Sequence, residues 1–461
     1  MPLPTSIYTT AQVRALDAYA IRVSGVPGYT LMKRAGEAAL RVLRSRWPTA
    51  HRLCVVCGGG NNGGDGYVLA RFAQAAGLSV TVLAAVTPET LKGDARRAYE
   101  DFTASSGRVE PFAASRLESG EVIVDALLGT GLASPVRAEA AAVIEAMNAS
   151  GLPVFALDVP SGLGSDVGLP LGVAVRAAST VTFVGLKAGL FVGEGPEYTG
   201  TLFFDDLEIS APQDAQFTPR LTRLSETEIP AALPARRRTA HKGSFGHVLI
   251  VGSGPSMPGA TRLAGEAALR VGAGLVTVAA APENVAAIAG GRPELICRGV
   301  LRAPDLDEAL SRADVVAAGP GLGRDAWARE MLGRVLASGK PLVLDADALN
   351  ILAEDSLPKA ENWILTPHPG EAARLLGCST SDVQADRLGA LERLVERVGG
   401  IVVLKGAGTL IGARGRIAAV CERGNPGMAT AGMGDVLTGT IAGVLAQCGD
   451  PWAATRVGVL V

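Results

Sequence analysis

Most of this chain repeats one alternation: short runs of β-branched and other apolar residues, each ending near Gly or Asp, separated by stretches with helical spacing of apolar positions. The first series is Leu53–Cys57, Ser79–Leu83, Val122–Asp125, Val154–Asp158 and Thr180–Val184. Between such runs lie patterns like Leu31, Ala35, Ala39, Val42 and Leu43, which share one helix face. Runs this short that are apolar throughout belong in parallel sheets covered on both sides. The 58 glycines gather at the ends of the runs and not in low-complexity tracts, which fits tight strand–helix connections.

The alternation breaks between residues 211 and 242, where Pro212, Pro219, Pro230 and Pro234 recur, and we place a domain boundary there. A second series follows: His247–Val251, Val276–Ala280, Val315–Ala318, Leu342–Asp345, Trp363–Thr366 and Ile401–Lys405. At 461 residues the chain is too long for one ordinary domain, so two α/β domains are expected, residues 1–215 and 222–461. The last residues, Gly458-Val459-Leu460-Val461, fall inside an apolar run, and the natural chain is expected to continue.

Lys+Arg 43 against Asp+Glu 45 leaves no basic excess for nucleic acid. The one basic run, Arg236-Arg237-Arg238 with His241 and Lys242, reads as a solvated linker. No signal peptide precedes Asp17 and no long uninterrupted apolar stretch is present, so a cytoplasmic protein without a membrane partner is expected. Six scattered cysteines do not form a disulfide framework, and Cys54 and Cys57, inside an apolar run with no nearby His, read as buried strand residues.

In the first half, Gly58-Gly59-Gly60-Asn61-Asn62-Gly63-Gly64-Asp65-Gly66 follows a strand and precedes a helix expected over Tyr67–Ala76. Such a loop frees backbone amides for an anion. The acidic residue that an ordinary dehydrogenase places on the adenosine ribose is missing, since the next strand ends in Leu83-Ala84-Ala85. Asp125 and Asp158 end two further strands, and parallel strands share one carboxyl edge. Asn62, Asp125, Asp158 and Ser161 either converge there on one crevice or merely cap turns and helices.

Gly59–Gly66, Asp125–Gly131 (Asp-Ala-Leu-Leu-Gly-Thr-Gly) and Asp158–Gly162 (Asp-Val-Pro-Ser-Gly) together resemble the NAD(P)H-hydrate epimerases over roughly residues 8–210. The resemblance implies a Rossmann-like three-layer α/β/α domain that interconverts the R and S hydroxyl epimers of hydrated NADH or NADPH. By motif, Asn61, Asn62, Gly63, Gly64 and Asp65, with Gly129, Thr130, Gly131, Leu132, Ala133, Ser134 and Pro135, would line the substrate. Asn62, Asp125 and Ser161 would hold K+, and Asp158 would face the hydrated ring as acid or base.

In the second half, Asn425–Gly439 contains Gly432-Met433-Gly434-Asp435 at the start of an apolar helix through Gln447. Two glycines there let amides and helix dipole face one anion, while Asp435 is either a helix cap or a base beside that anion. Lys405-Gly406-Ala407-Gly408-Thr409 follows a strand as a nucleotide-cradling turn, and no P-loop motif occurs. These features resemble the ribokinase-like superfamily. His241–His247, Gly259-Ala260-Thr261, Ala318–Gly323, Asp345–Asn350 and Thr366–Glu371 more closely resemble the NAD(P)H-hydrate dehydratases from about residue 222 onward.

That resemblance implies a ribokinase-like α/β domain with hydrated coenzyme near Ala260, Gly321, Gly323, His368 and Asp435, and adenine nucleotide at Lys405–Thr409 and Gly434. Ala431 and Met433 replace the family's more usual Gly and small hydroxyl residue, with their amides retained. The implied chemistry passes the terminal phosphoryl of ADP, with Mg2+, to the ring hydroxyl and then expels phosphate, releasing AMP and restoring NAD(P)H. Asp435 would take the hydroxyl proton. A homo-oligomer acting on small molecules is expected. The alternative is a ribokinase-like vitamin-precursor kinase fused to a non-catalytic ligand-binding domain.

Overall fold

A computed structural model of the chain describes residues 3–132, 134–209, 214–255, 257–355 and 359–461. It divides into two compact units, Met1–Leu221 and Thr222–Val461.

In the first unit the strands are β1 (Ser6–Tyr8), β2 (Arg52–Cys57), β3 (Ser79–Ala84), β4 (Val109–Pro111), β5 (Val122–Ala126), β6 (Val154–Leu157), β7 (Ser179–Phe183), β8 (Leu186–Lys187) and β9 (Thr201–Asp205). The main sheet runs β4-β3-β2-β5-β6-β7-β9, all pairs parallel. Its two faces follow from the period of the strand. In β2, Leu53, Val55 and Cys57 enter one core with Tyr67 and Phe102, whereas Cys54 and Val56 enter another with Ile144 and Met147. This sorting explains why the runs are apolar throughout and why both cysteines are simply buried. The chain leaves β2 toward β3 and β4, then returns to place β5 on the other side of β2. The carboxyl ends of β2 and β5 therefore flank a topological switch point, where such sheets open a crevice.

β1 and β8 form a separate short parallel pair, Ile7 opposite Leu186 and Tyr8 opposite Lys187. The helix Thr10–Arg22 follows β1 directly, with a Thr9–Gln12 capping box at its start. Its first turn is tied down by Thr10 N donating to Asp166 Oδ1 at 2.7 Å.

The glycine-rich segment differs from expectation. The helix begins at Asn61, not Tyr67, and runs to Ala75 with Gly60 at its N-cap. Its glycines let the first turns press onto the strand ends: a Cβ on Gly63 would lie 2.1 Å from Gly58 O, and one on Gly66 would lie 2.5 Å from Ala126 Cβ. Close packing, not loop flexibility, sets this composition.

After β10 (Leu221–Arg223), the second unit contains β11 (His247–Val251), β12 (Leu275–Ala280), β13 (Ile296–Gly299), β14 (Val315–Ala318), β15 (Leu342–Leu344), β16 (Trp363–Leu365), β17 (Ile401–Leu404), β18 (Thr409–Gly412) and β19 (Ala418–Cys421). The order β13-β12-β11-β14-β15-β16-β17-β18-β19 is parallel up to β17 and antiparallel thereafter. A second switch point lies between β11 and β14. The helices Pro258–Arg270 and Met433–Cys448 contribute Ala264, Ala268, Ile441 and Leu445 to the core of this unit.

Candidate functional sites

In the first unit a cavity of about 520 Å³ opens at the switch point, lined among others by Asn61, Asn62, Asp65, Asp158 and Gly129–Leu132. The motifs after β2, β5 and β6 thus meet there. Gly63 and Gly64 are buried behind it, Ser134 and Pro135 are exposed outside its lining, and Ala133 lies outside the described residues.

Asp125, Ser161 and Asn62 form a connected buried cluster beside the cavity. Ser161 donates from its backbone N to Asp125 Oδ2 (2.8 Å) and from Oγ to Asp125 Oδ1 (2.6 Å), while Leu127 N donates to Oδ1 at 3.2 Å. Burial raises the Asp125 carboxyl to about 6, against the opposing pull of these hydrogen bonds. Asn62 donates through Nδ2 to Leu128 O at 3.0 Å, and Ser161 Oγ lies 3.1 Å from the same carbonyl. Asn62 Oδ1, in contrast, is buried with no hydrogen-bond partner. Leaving a buried carbonyl oxygen unpaired costs roughly 1–3 kcal/mol, so it marks a place for a donor or a cation.

Asp158 stands immediately after β6 with φ of 67°, and Val184, just past β7, has φ of 66°. For a β-branched residue this is an uncommon, strained conformation, and both residues line the cavity. What holds them is Lys187, 1% exposed, which sequence reasoning missed. Its ammonium pairs with Asp158 Oδ1 and donates to Thr182 Oγ1 (2.9 Å) and Phe183 O (2.7 Å). These partners use its three donors.

In the second unit the loops after successive strands are tied together at the carboxyl edge. Ser253 N donates to Pro320 O and Gly254 N to Gly321 O, joining the loops after β11 and β14. Gly321, with φ of 58°, packs against Ala260: a Cβ on it would lie 3.0 Å from the Ala260 Cβ. Gly323 N donates to Asp347 Oδ2 at 2.9 Å. His368 is the N-cap of the helix Pro369–Leu376. Its Nδ1 accepts from Gly370 N (3.0 Å) and Glu371 N (3.4 Å), and its backbone N donates to Glu371 Oε2. Burial and the nearby Lys405 lower its pKa, so the neutral ring with a proton on Nε2 is favoured.

Beside it lies a charged core. Asp345, 1% exposed, bonds Lys405 Nζ through Oδ1 (2.7 Å) and Thr438 Oγ1 through Oδ2 (2.9 Å). Lys405 Nζ lies 3.8 Å from Glu371 Oε2. Burial pushes Glu371 up to about 7, with the Lys405 charge opposing. Gly434 presses against this pair: a Cβ there would lie 3.2 Å from Asp345 Oδ2 and 3.3 Å from Lys405 Nζ. The first turn of its helix, whose N-terminal amides favour an anion, therefore lies against the Asp345–Lys405 pair.

Asp435 settles one alternative. The N-cap of its helix is Gly432, with φ of 89° and no side-chain cap, and among the described residues no hydrogen bond reaches the Asp435 carboxylate. Asp435 is not a structural cap. Burial first, then the Asp345 charge, raises its pKa to about 6.

Lys405–Thr409 forms the tight connection between antiparallel β17 and β18. Gly406 has φ of 135° and Thr409 Oγ1 donates to Gly406 O at 2.8 Å. The turn is held from behind by Arg387, 5% exposed, whose guanidinium donates to Leu404 O (3.3 Å), Lys405 O (3.2 Å) and Gly408 O (3.4 Å). Arg387 was invisible in the sequence because it lies on a helix distant from every motif.

Comparison with known proteins identifies both halves. The family model of the NAD(P)H-hydrate dehydratases matches residues 248–461, and that of the YjeF-related protein N-terminus matches residues 28–189. A bifunctional NAD(P)H-hydrate repair enzyme of Coxiella burnetii is 50% identical over 459 residues, 99% of this chain and 93% of the relative. One of Escherichia coli is 43% identical over 456 residues, 99% of this chain and 88% of the relative. Among solved structures, an ADP/ATP-dependent NAD(P)H-hydrate dehydratase of Bacillus subtilis aligns at 31% identity with a TM-score of 0.46, covering 51% of this chain and 85% of that one.

Proposed function

The chain belongs to the family of bifunctional NAD(P)H-hydrate repair enzymes, and on that premise we propose that its first unit epimerises hydrated NADH or NADPH and its second dehydrates the S epimer at the expense of ADP. Hydroxide is a poor leaving group and phosphate a good one, which is why dehydration is coupled to a nucleotide. Joining both reactions in one chain lets either epimer be restored.

The observation that carries the dehydratase role is Asp435: a carboxylate raised to about 6, with no hydrogen bond among the described residues, at the helix start beside the Lys405 ammonium. Asp435 takes the proton of the ring hydroxyl as that oxygen attacks the terminal phosphorus of ADP and AMP leaves with the electron pair of the broken P–O bond. Phosphate then departs from the ring carbon while the neighbouring carbon loses a proton, which restores the ring double bond. Gly434 N and Lys405 hold the charge of the transferring group. The Lys405–Thr409 turn, braced by Arg387, holds the nucleotide. Ala260, Gly321, Gly323 and His368 border the coenzyme. Glu371 is an oxygen donor of the hard type Mg2+ takes. Bound Mg2+ would neutralise phosphate charge.

In the epimerase unit, Asn61, Asn62, Asp65 and Gly129–Leu132 border the coenzyme, and Asp158, fixed by Lys187, exchanges protons with the ring substituent. Asn62 and Ser161 with Asp125 fit K+, since the unpaired Asn62 Oδ1 is the kind of oxygen an alkali cation takes. When bound, K+ would fix the loop at Leu128. A vitamin-precursor kinase fused to a non-catalytic ligand-binding domain is disfavoured, because the relatives that match across both halves are bifunctional repair enzymes.

The test is to incubate the protein with both hydrate epimers, ADP and Mg2+, and follow the absorbance of reduced coenzyme. Recovery of the whole mixture is expected, faster with ADP than with ATP. A stable phosphorylated product with no recovered coenzyme would sink the assignment.

A further inference from the structure

The helix Thr10–Arg22 turns one face to the epimerase cavity, with Val13, Arg14, Asp17 and Ile21 all in its lining. Asp17 is the only acid in this helix and precedes the residues matched by the family model. Its placement follows from the β1–β8 pairing. Tyr8, two residues before the helix, is in register with Lys187, so Asp17 and the Lys187–Asp158 pair share one cavity.

The charges there do not balance. Asp17, Asp65, Asp94 and Asp158 line the cavity with two cations, Arg14 and Lys187. Lys187 spends its donors on Asp158, Thr182 and Phe183, and Arg14 donates to Thr130 O at 2.9 Å. Neither Asp17 nor Asp65 has a hydrogen bond or ion pair among the described residues. Two half-buried carboxylates without partners are expected to keep protons. Asp65 is raised well above the ordinary range by burial, then by the Asp158 and Asp17 charges. Asp17 is raised to about 6 by burial, with Lys187 opposing. Asp17 is therefore the one placed to gain and lose a proton near neutrality, where acid–base groups work best.

We propose that Asp17 is a catalytic residue of the epimerase, the acid that works with Asp158 as the base. This rests on the epimerase function proposed above. Asp17 gives its proton to the ring hydroxyl oxygen. The C–O bond breaks, its electron pair leaving with water, while the ring-nitrogen lone pair forms a C=N bond. Water then adds to the other face of the carbon, the C=N pair returns to nitrogen, and the proton that water sheds goes to Asp158. The reverse direction exchanges the two roles and restores both groups.

The experiment uses the full chain without nucleotide, starting from purified R hydrate and resolving the epimers chromatographically across pH. The wild type should slow as pH rises past about 6, where Asp17 loses its proton. Asp17→Asn should slow epimerisation roughly a hundredfold or more and lose that pH limb, with ADP-dependent dehydration of S hydrate unchanged. Asp17→Glu should restore part of the rate and the limb, and it carries the test if the amide variant does not fold. Epimerisation by Asp17→Asn at the wild-type rate, or slowed with the limb intact, would overturn the proposal. A wild type that cannot interconvert the epimers would instead overturn the epimerase function beneath it.

Discussion

Lys405 Nζ lies 2.7 Å from Asp345 Oδ1, and the other oxygen of that buried carboxylate is held by Thr438. Removing one partner of such a pair leaves an uncompensated buried charge, at a cost of about 3–5 kcal/mol. Lys405→Met should therefore both destabilise the second unit and abolish dehydration. Joint replacement, Lys405→Met with Asp345→Leu, should recover much of the stability but none of the activity. Denaturant unfolding beside the dehydration assay checks this; a single variant as stable as the wild type would show that the pair does not hold the site.

The pH dependence of dehydration follows from two raised carboxyls. As a base, Asp435 works only deprotonated, and its pKa of about 6 makes the rate fall as pH drops below that value. With the proposed cation held by Glu371, whose carboxyl lies at about 7, ionisation of Glu371 would add a fall at slightly higher pH. Burial is the main cause of both shifts; the Asp345 charge adds to both and that of Asp347 to Asp435, while Lys405 opposes both and Arg374 opposes that of Glu371. Glu371→Gln should remove the upper step and leave the lower one, as read from kcat/KM against pH. An unchanged two-step profile in this variant would exclude Glu371 from the titration.

With K+ at the unpaired Asn62 Oδ1, as proposed above, epimerisation is expected to be sensitive to K+. Exchanging K+ for a bulky organic cation should slow the wild type severalfold or more, and Asn62→Ala should be slow and indifferent to K+. Equal wild-type rates with and without K+ would leave that oxygen without an ion.

Asp158→Asn keeps a hydrogen-bond acceptor for Lys187 while removing the carboxylate. Conversion of R hydrate should slow about a hundredfold or more, and dehydration of S hydrate should continue. Assaying the two reactions separately checks this; unimpaired conversion of R hydrate would remove Asp158 from proton transfer.

Much of this arrangement was legible in the sequence. The parallel sheets follow from runs too apolar for one-sided strands, and Leu53–Cys57 sorts into two cores residue by residue. Asn62, Asp125 and Ser161 end adjacent strands and do meet. The helix start at Asn61 was hidden because its glycines look like a loop until the close approach to Gly58 is seen. β18 and β19 were missed as short antiparallel strands outside the strand–helix alternation, and β13 as a short, partly exposed edge strand. Lys187, Arg387 and Asp17 carry no motif, and only tertiary packing shows what they face.

The most direct test of the account is Asp435→Asn. The variant preserves volume, and because among the described residues the carboxylate caps nothing and receives no hydrogen bond, folding should be unaffected. Given purified S hydrate, ADP and Mg2+, it should release reduced coenzyme roughly a hundred- to ten-thousandfold more slowly than the wild type, while still interconverting the epimers. A folded Asp435→Asn protein that dehydrates S hydrate at the wild-type rate would contradict the assignment of Asp435 as the base, and with it the phosphoryl-transfer step.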